Sequence, residues 1–287
     1  PPSDAIVLFD GKDLSQWTHA DGKPATWQVE DGVAIGGGGD LVTKRQFSDV
    51  QLHLEFNLPE SGEGHGNSGL YFHHLYEVQI IDSYNENKYA PTQQCAALYK
   101  NFPPRVNVCK APGEWQTYDI IFHAAQVDAA GKVTQPARFT VFHNGVLVQY
   151  NRPLWKGTGG GAKNAVVHKG PLKIQDHGSP VRFRNIWLRD IAPVGDYTGP
   201  ALAEVADKAA APKVDPNLPG LGPHPGNVPA DAAVLFGGDN LDNWTNDKWL
   251  VENGYMQVVP KTGGNSTQQK TGDAQLHVEG APPTEDK

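Results

Sequence analysis

Residues 66–84 read GNSGLYFHHLYEVQIIDSY, and they place Glu77, Gln79 and Asp82 among good strand formers, just after Asn67, Ser68 and the His73–His74 pair. Two neighbouring carboxyl groups are the usual means of cleaving a glycosidic bond, about 5–5.5 Å apart for retention and about 6.5–9.5 Å for inversion. Glu77 and Asp82 are the candidates here. Five positions apart in a flat strand, they point to opposite faces, and only a β-bulge would bring both to one side. Glu77 and Gln79 do share a face. That pair reads either as the solvated side of a sheet or as the floor of a polar site.

Other polar groups could join such a floor. In KIQDHG, Gln175 and His177 share a parity while Asp176 lies opposite, free to hold a neighbouring histidine or Arg182. His65, Asn67 and Ser68 fall in a glycine-rich loop (61–69) at the rim, where Asn supplies either an unusual backbone angle or an amide for sugar hydroxyls. Asp82 equally suits capping the turn Asp-Ser-Tyr-Asn. His143 precedes Asn144-Gly145 and reads as exposed at a hairpin tip, within reach of a ligand. Trp115 is either a core aromatic or a stacking platform for a sugar ring. His73 and His74 point opposite ways, so at most one reaches any site. The candidates are therefore Glu77, His177, Asp82 and His65 for catalysis, and Asn67, Ser68, Gln79, Gln175, Trp115 and His143 for substrate binding.

These side chains need strands to hold them. DVQLHLEFNL (49–58) alternates, with Val50, Leu52, Leu54 and Phe56 on one face and Gln51, His53, Glu55 and Asn57 on the other. WQTYDIIFHAA (115–125), PLKIQDHG and VRFRNIWLRDI (181–191) are further strands. In the last, Arg182 and Arg184 lie on a wet face where one could form an ion pair. RFTVFHNGVLVQY (138–150) is a hairpin with Asn144-Gly145 as a type I′ turn. No stretch before residue 200 has a convincing helical period. Many antiparallel strands with dry and wet faces predict an all-β sandwich or jelly roll.

The 287 residues suffice for one large domain, or one domain plus a fragment. The net charge of −8, without a basic patch, excludes a nucleic-acid partner. No apolar run approaches the ~20 residues of a membrane span. Cys95 and Cys109, 14 residues apart, read either as a disulfide tying down a Pro-rich loop or as two buried thiols. A divalent metal held by Glu, Asp and His is compatible with the composition, but no HExxH, EF-hand or CxxC motif signals one. GGGG at 36–39 lacks the partners of a phosphate-cradling loop.

Residues 1–191 read as one complete domain, 192–231 as a Pro/Ala/Gly-rich linker, and 232–287 as the beginning of a second copy. The start of the chain returns there. LFDGKDLSQW (8–17) matches LFGGDNLDNW (235–244), WQVEDGV (27–33) matches WLVENGY (249–255), and DVQLHLE (49–55) matches DAQLHVE (273–279). The second copy stops where the first continues, which suggests truncation and a further domain beyond Lys287. Pro1-Pro2-Ser3 suits a processed N-terminus and an extracytoplasmic location.

Seven motifs, LFDGKDLSQW, GNSGLYFH, YEVQIIDSY, PGEWQTYDIIF, VFHNGVLVQ, GPLKIQDHG and VRFRNIWLR, follow one another in the order of the bacterial 3-keto-disaccharide hydrolase domain family, and this sequence resembles it over about 5–191. The resemblance implies a concanavalin A-like lectin/glucanase sandwich and a carbohydrate substrate. It also implies hydrolysis without a carboxylate nucleophile: a ketone at C3 acidifies the C2 proton, a base removes it, the C1 group leaves and water adds back. Such chemistry needs a general base, donors or a metal for the enolate oxygen, and an acid for the leaving group. The fold also carries sugar binders without turnover, so a lectin-like module is the alternative.

Overall fold

The computed structural model describes residues 1–60, 65–85, 88–191, 233–237, 240–252, 255–257, 264–268, 276 and 278. The chain forms two compact units, Pro1–Asp196 and Tyr197–Lys287. Residues 192–231, read above as linker, lie outside the described residues.

The first unit is built from strands β1 (Ile6–Phe9), β2 (Trp17–His19), β3 (Gln28–Glu30), β4 (Val33–Ile35), β5 (Leu41–Thr43), β6 (Val50–Asn57), β7 (Ser68–Phe72) and β8 (Tyr76–Ile80). After a long loop come β9 (Trp115–His123), β10 (Gln126–Val127), β11 (Val133–Gln135), β12 (Ala137–His143), β13 (Val146–Leu154), β14 (Leu172–Ile174) and β15 (Arg182–Asp190). Its only helical turns among the described residues are the short 3-10 segments Pro91–Gln93 and Gly159–Lys163. No helix among the described residues is long and apolar enough to cross a membrane.

An eight-stranded sheet runs β13-β12-β9-β6-β15-β4-β3, with β1 also pairing β15. A five-stranded sheet runs β2-β5-β14-β7-β8. The alternation in β6 buries Val50, Leu52, Leu54 and Phe56 completely. Across the gap, Phe72 of β7 meets Phe122 of β9 and Phe139 of β12 at ring centroid distances of 4.7 and 5.3 Å. Tyr118 of β9 donates its hydroxyl to the Gln79 carbonyl of β8 at 2.6 Å. The two sheets thus form a concanavalin A-like β-sandwich. Burying each such aromatic is worth about 1.5–3 kcal/mol, and Phe72→Ala is expected to cost about 3–5 kcal/mol.

β7 and β8 join through a tight turn in which His73 and His74 both take φ of 58°. Both histidines are therefore turn residues rather than strand neighbours on opposite faces. His73 is buried, with Nδ1 3.3 Å from the Val167 carbonyl oxygen. Left-handed geometry at a non-glycine residue costs on the order of 1 kcal/mol and is held by the surrounding packing. The turn fixes an unbroken register from Phe72↔Tyr76 to Ser68↔Ile80. The exposed edge of β8 is closed by residues 96–99: Gln79 N–H donates to the Ala97 carbonyl, Ala96 N–H to the Gln79 carbonyl, and Tyr99 N–H to the Glu77 carbonyl.

In the second unit the hairpin β16 (Leu250–Glu252) and β17 (Tyr255–Gln257) is described. Here Trp244 donates its indole N–H to the Leu235 carbonyl at 2.9 Å. Trp17 makes the same bond to Leu8, also nine residues earlier, at 2.8 Å.

Candidate active site

The outward face of the five-stranded sheet carries one row of polar side chains across three strands. The register pairs Lys173 of β14 with Tyr71 of β7, and Tyr71 with Glu77 of β8. Glu77 spends its own N–H on Thr158 Oγ1 (2.8 Å) and its carbonyl on Tyr99 N–H, both away from β7. Tyr71 and Glu77 are therefore a non-hydrogen-bonded cross-strand pair, the kind that brings side chains closest. This sets the Tyr71 phenol toward the Glu77 carboxyl, whose affinity for protons it lowers. Burial and the neighbouring carboxylate keep that phenol well above its ordinary range, so it remains a donor.

Glu77 is only 3% exposed. Its burial pushes the carboxyl up to about 7, against the Tyr71 phenol and the positive charges of Lys173, His177 and Lys100, which pull it down. Two glycines make room for it. A Cβ on Gly69 would lie 2.7 Å from Glu77 Oε1. One on Gly159 would lie 2.7 Å from the Tyr99 ring and 3.4 Å from Glu77 Oε2. The next row holds Gln79 opposite Gly69, with Gln175 N–H bonded to the Gly69 carbonyl at 2.8 Å. Gln79 is buried and its Oε1 accepts the Ile80 N–H. Asn67 shares the parity of Gly69 and Tyr71 and is half-buried at this end of β7.

Lys173 does not ion-pair with Glu77. Its ammonium lies 2.8 Å from Asp40 Oδ2 and 4.0 Å from the centre of the Tyr71 ring. The other Asp40 oxygen accepts Asp176 N–H at 2.9 Å, while Asp176 Oδ2 accepts Gly39 N–H at 2.8 Å. Asp176 thus ties down the glycine run 36–39 and holds neither a histidine nor Arg182. His177 is exposed beside this loop, and its charge reaches Glu77.

Residues 4–189 match the model of the 3-keto-alpha-glucoside-1,2-lyase-like domain. The chain belongs to that family. A 3-keto-disaccharide hydrolase of Bacteroides thetaiotaomicron is 26% identical over 231 residues, which is 64% of this chain and 77% of the relative. A solved structure from Parabacteroides distasonis, provisionally assigned as a glycosyl hydrolase, is 41% identical with a TM-score of 0.62. The match covers 66% of this chain and 85% of that one. A second P. distasonis structure, with the same provisional assignment and 24% identity, covers 66% of this chain and 94% of its own at a TM-score of 0.52, and shows the shared fold.

Within this family framework, Glu77, Gln79, Gln175 and Asn67 share one sheet face, the charge of His177 reaches it from after β14, and the other expected residues lie apart. Asp82 follows β8 with no bulge between, and its Oδ1 caps the turn by accepting Tyr84 N–H at 3.0 Å. His65 sits in a left-handed turn, exposed, against Lys88. Ser68 has the opposite parity to Asn67; it is buried toward the core and donates to the Gln175 carbonyl at 2.7 Å. Trp115 lies on the outward face of the other sheet, under the Arg184 guanidinium at 3.9 Å. His143 is not exposed at its hairpin tip. It follows the alternation of Ala137, Phe139 and Val141 into the core, stacks on Phe56, and meets Gln116 Oε1 at 2.8 Å. Burial, together with the Lys110 charge, holds its imidazole down at about 3, so it stays neutral. Cys95 and Cys109 are buried free thiols, with Cys95 Sγ 3.1 Å from the Tyr118 hydroxyl.

Tyr71, Lys173, Asp40, Gly69 and Tyr99 are site residues that the sequence reading passed over. Tyr71 had a usable signal, since folding FHHLY at its histidines sets it opposite Glu77. Among the described residues, no three His, Cys, Asp or Glu side chains are grouped to hold a metal ion.

Proposed function

We propose that this chain cleaves 3-keto-glycosides by elimination and rehydration, with Glu77 as the base. The observation that carries the reading is the Glu77 carboxyl, buried on an outward sheet face and pushed to about 7. A base works best with an affinity for protons near the working pH. The family description and the name of the B. thetaiotaomicron relative support the substrate class.

In this reading Glu77 takes the proton from C2, and the electron pair moves to the C3 oxygen as an enolate. The carbonyl re-forms, the C1–C2 double bond appears, and the C1–O bond breaks. His177, exposed at the rim, gives the departing oxygen its proton. Water then adds to C1 and a proton returns to C2, so the sum is hydrolysis. The positive charges of Lys173 and Lys100, which already bear on Glu77, stabilise the developing oxyanion. Gln79, Gln175 and Asn67 offer amides to the sugar hydroxyls. A single buried carboxyl fits this route better than a two-carboxylate hydrolysis, because Asp82 is committed to its turn.

The test is incubation with a 3-keto-disaccharide while free monosaccharide is followed over time. Release by the wild type and its loss in Glu77→Gln are expected. Saturable binding without release overturns the proposal and makes the chain a sugar-binding module.

A further inference from the structure

Lys173 is the cation nearest in register to Glu77, one strand beyond Tyr71 in the same cross-strand row. Two strand spacings are about 9.6 Å, within the combined reach of a lysine and a glutamate leaning toward each other. Left to itself, such a pair would close into an ion pair over Tyr71 and hold the glutamate ionised and weakly basic. It does not close. Asp40 enters from the far side, one residue before β5, the strand that borders β14 opposite β7. Its Oδ2 holds the ammonium at 2.8 Å, and neither side chain is fully exposed. Asp40 is itself fixed: Oδ1 accepts Asp176 N–H, and its carbonyl oxygen lies 3.0 Å from His19 Nδ1. A backbone-anchored carboxylate thus competes with Glu77 for one lysine.

We propose that Asp40 is a positioning residue: by holding the Lys173 ammonium on its own side of Tyr71, it denies Glu77 a closed ion pair and keeps that carboxyl available as a base near neutral pH. The inference rests on the reading of Glu77 as the base. Other titratable groups face the same carboxyl. They are Tyr71 on β7, His177 after β14, and Tyr99 and Lys100 on the segment that closes β8. His74 feels Lys173 and Asp40 from the hairpin turn. Asp40 is distinguished among them by acting through a second residue.

The experiment is carboxyl 13C NMR titration of the full chain labelled at glutamate, with the Glu77 signal assigned by its loss in Glu77→Gln. Asp40→Asn keeps an oxygen for Asp176 N–H while releasing Lys173. It is expected to lower the Glu77 midpoint by at least one pH unit, a tenfold change in proton affinity. Lys173→Gln is expected to raise the midpoint. Asp40→Asn added to Lys173→Gln is expected to leave it at the Lys173→Gln value, since the lysine through which Asp40 acts is gone. An unchanged or raised midpoint in Asp40→Asn overturns the proposal, and so does an equal downward shift in the Lys173→Gln background, which would mean that Asp40 acts by its own charge. If Asp40→Asn does not fold, Lys173→Gln alone decides, because a midpoint that fails to rise is incompatible with the competition. The acid limb of kcat/KM separates the two levels of the argument. If the NMR midpoint moves as stated and the limb does not follow, the role of Glu77 as base fails while the role of Asp40 stands.

Discussion

Glu55 and Glu77 occupy comparable places on the two sheets, each in a strand, each on an outward face, each largely shielded from water. Their surroundings oppose each other. Glu55 accepts Arg184 Nε at 2.6 Å and Asn185 Nδ2 at 2.8 Å, with His53 at 3.7 Å. Burial alone would raise its carboxyl, but the Asn185 and Arg184 hydrogen bonds and the Arg184 charge outweigh it and hold the group below its ordinary range. His53 is in turn held by Asp119 at 2.7 Å and stacks on Trp187, so Glu55, Arg184, His53 and Asp119 form one network of paired charges. Glu77 has no ion-pair partner among the described residues, and its nearest lysine is engaged elsewhere. A carboxylate answered by a cation is a structural part. One buried and left with a phenol stores reactivity, at a cost in stability.

The comparison breaks most visibly in turnover. Glu77→Gln is expected to lower kcat/KM on a 3-keto-disaccharide by about 10²–10⁴-fold, while Glu55→Gln stays within about twofold. In the wild type, kcat/KM is expected to rise with pH through a midpoint of about 7, because the base must be deprotonated. A Glu55→Gln enzyme as inactive as Glu77→Gln would erase the distinction between the faces. Gly69→Ala is the next largest. Its methyl would meet Glu77 Oε1 at 2.7 Å, and displacing a reacting group by about 1 Å can cost about 10²-fold. The crystal structure of that variant should show the carboxyl moved, with the sheet register intact.

How much of this the sequence disclosed depended on range. The strand alternation in 49–58, the Asn144-Gly145 turn (φ 52° and 79°) and the shared face of Glu77 and Gln79 follow from periods of two residues, and all are present. His143 and Trp115 were misplaced by local cues. The turn signal suggested exposure although Ala137, Phe139 and Val141 set a core parity, a pattern blurred by Phe142 on the other side. The parity of Tyr118, Ile120 and Phe122 likewise puts Trp115 outside, on the sheet that lacks Glu77. Asp40 and Lys173 could not be read at all. They meet because β14 inserts between β5 and β7, and nothing along the 133 positions that separate them announces that order.

The cost stored at Glu77 is expected to appear as stability. Its folded-state affinity for protons is raised to about 7 from 4.5, so folding favours the neutral acid. That contribution is fully present below about pH 4.5 and is lost as pH rises through about 7. Glu77→Gln, permanently neutral, should therefore be more stable than the wild type by about 1–3 kcal/mol at pH 8 and indistinguishable from it at pH 4. Denaturant midpoints at the two pH values check this. A variant equally stabilised at both would show that packing, and not charge, carries the difference.

The smallest effect, with the opposite sign, belongs to Glu55. Its folded-state proton affinity is lowered, so its contribution is present above the unfolded value and is lost as pH falls through the folded one. Arg184 is 42% exposed, and solvent screens the pair, so Glu55→Gln should cost less than about 1 kcal/mol at pH 8. That small loss is informative because it must fade on acidification, whereas the gain in Glu77→Gln must grow on alkalinisation. Two glutamates on one sandwich would then give pH profiles of opposite sign, and the sign would report which carboxylate the fold has paired and which it has left for chemistry. A loss at Glu55 that persists unchanged in acid would mean that Asn185 and the strand contacts, rather than the Arg184 charge, hold that face together.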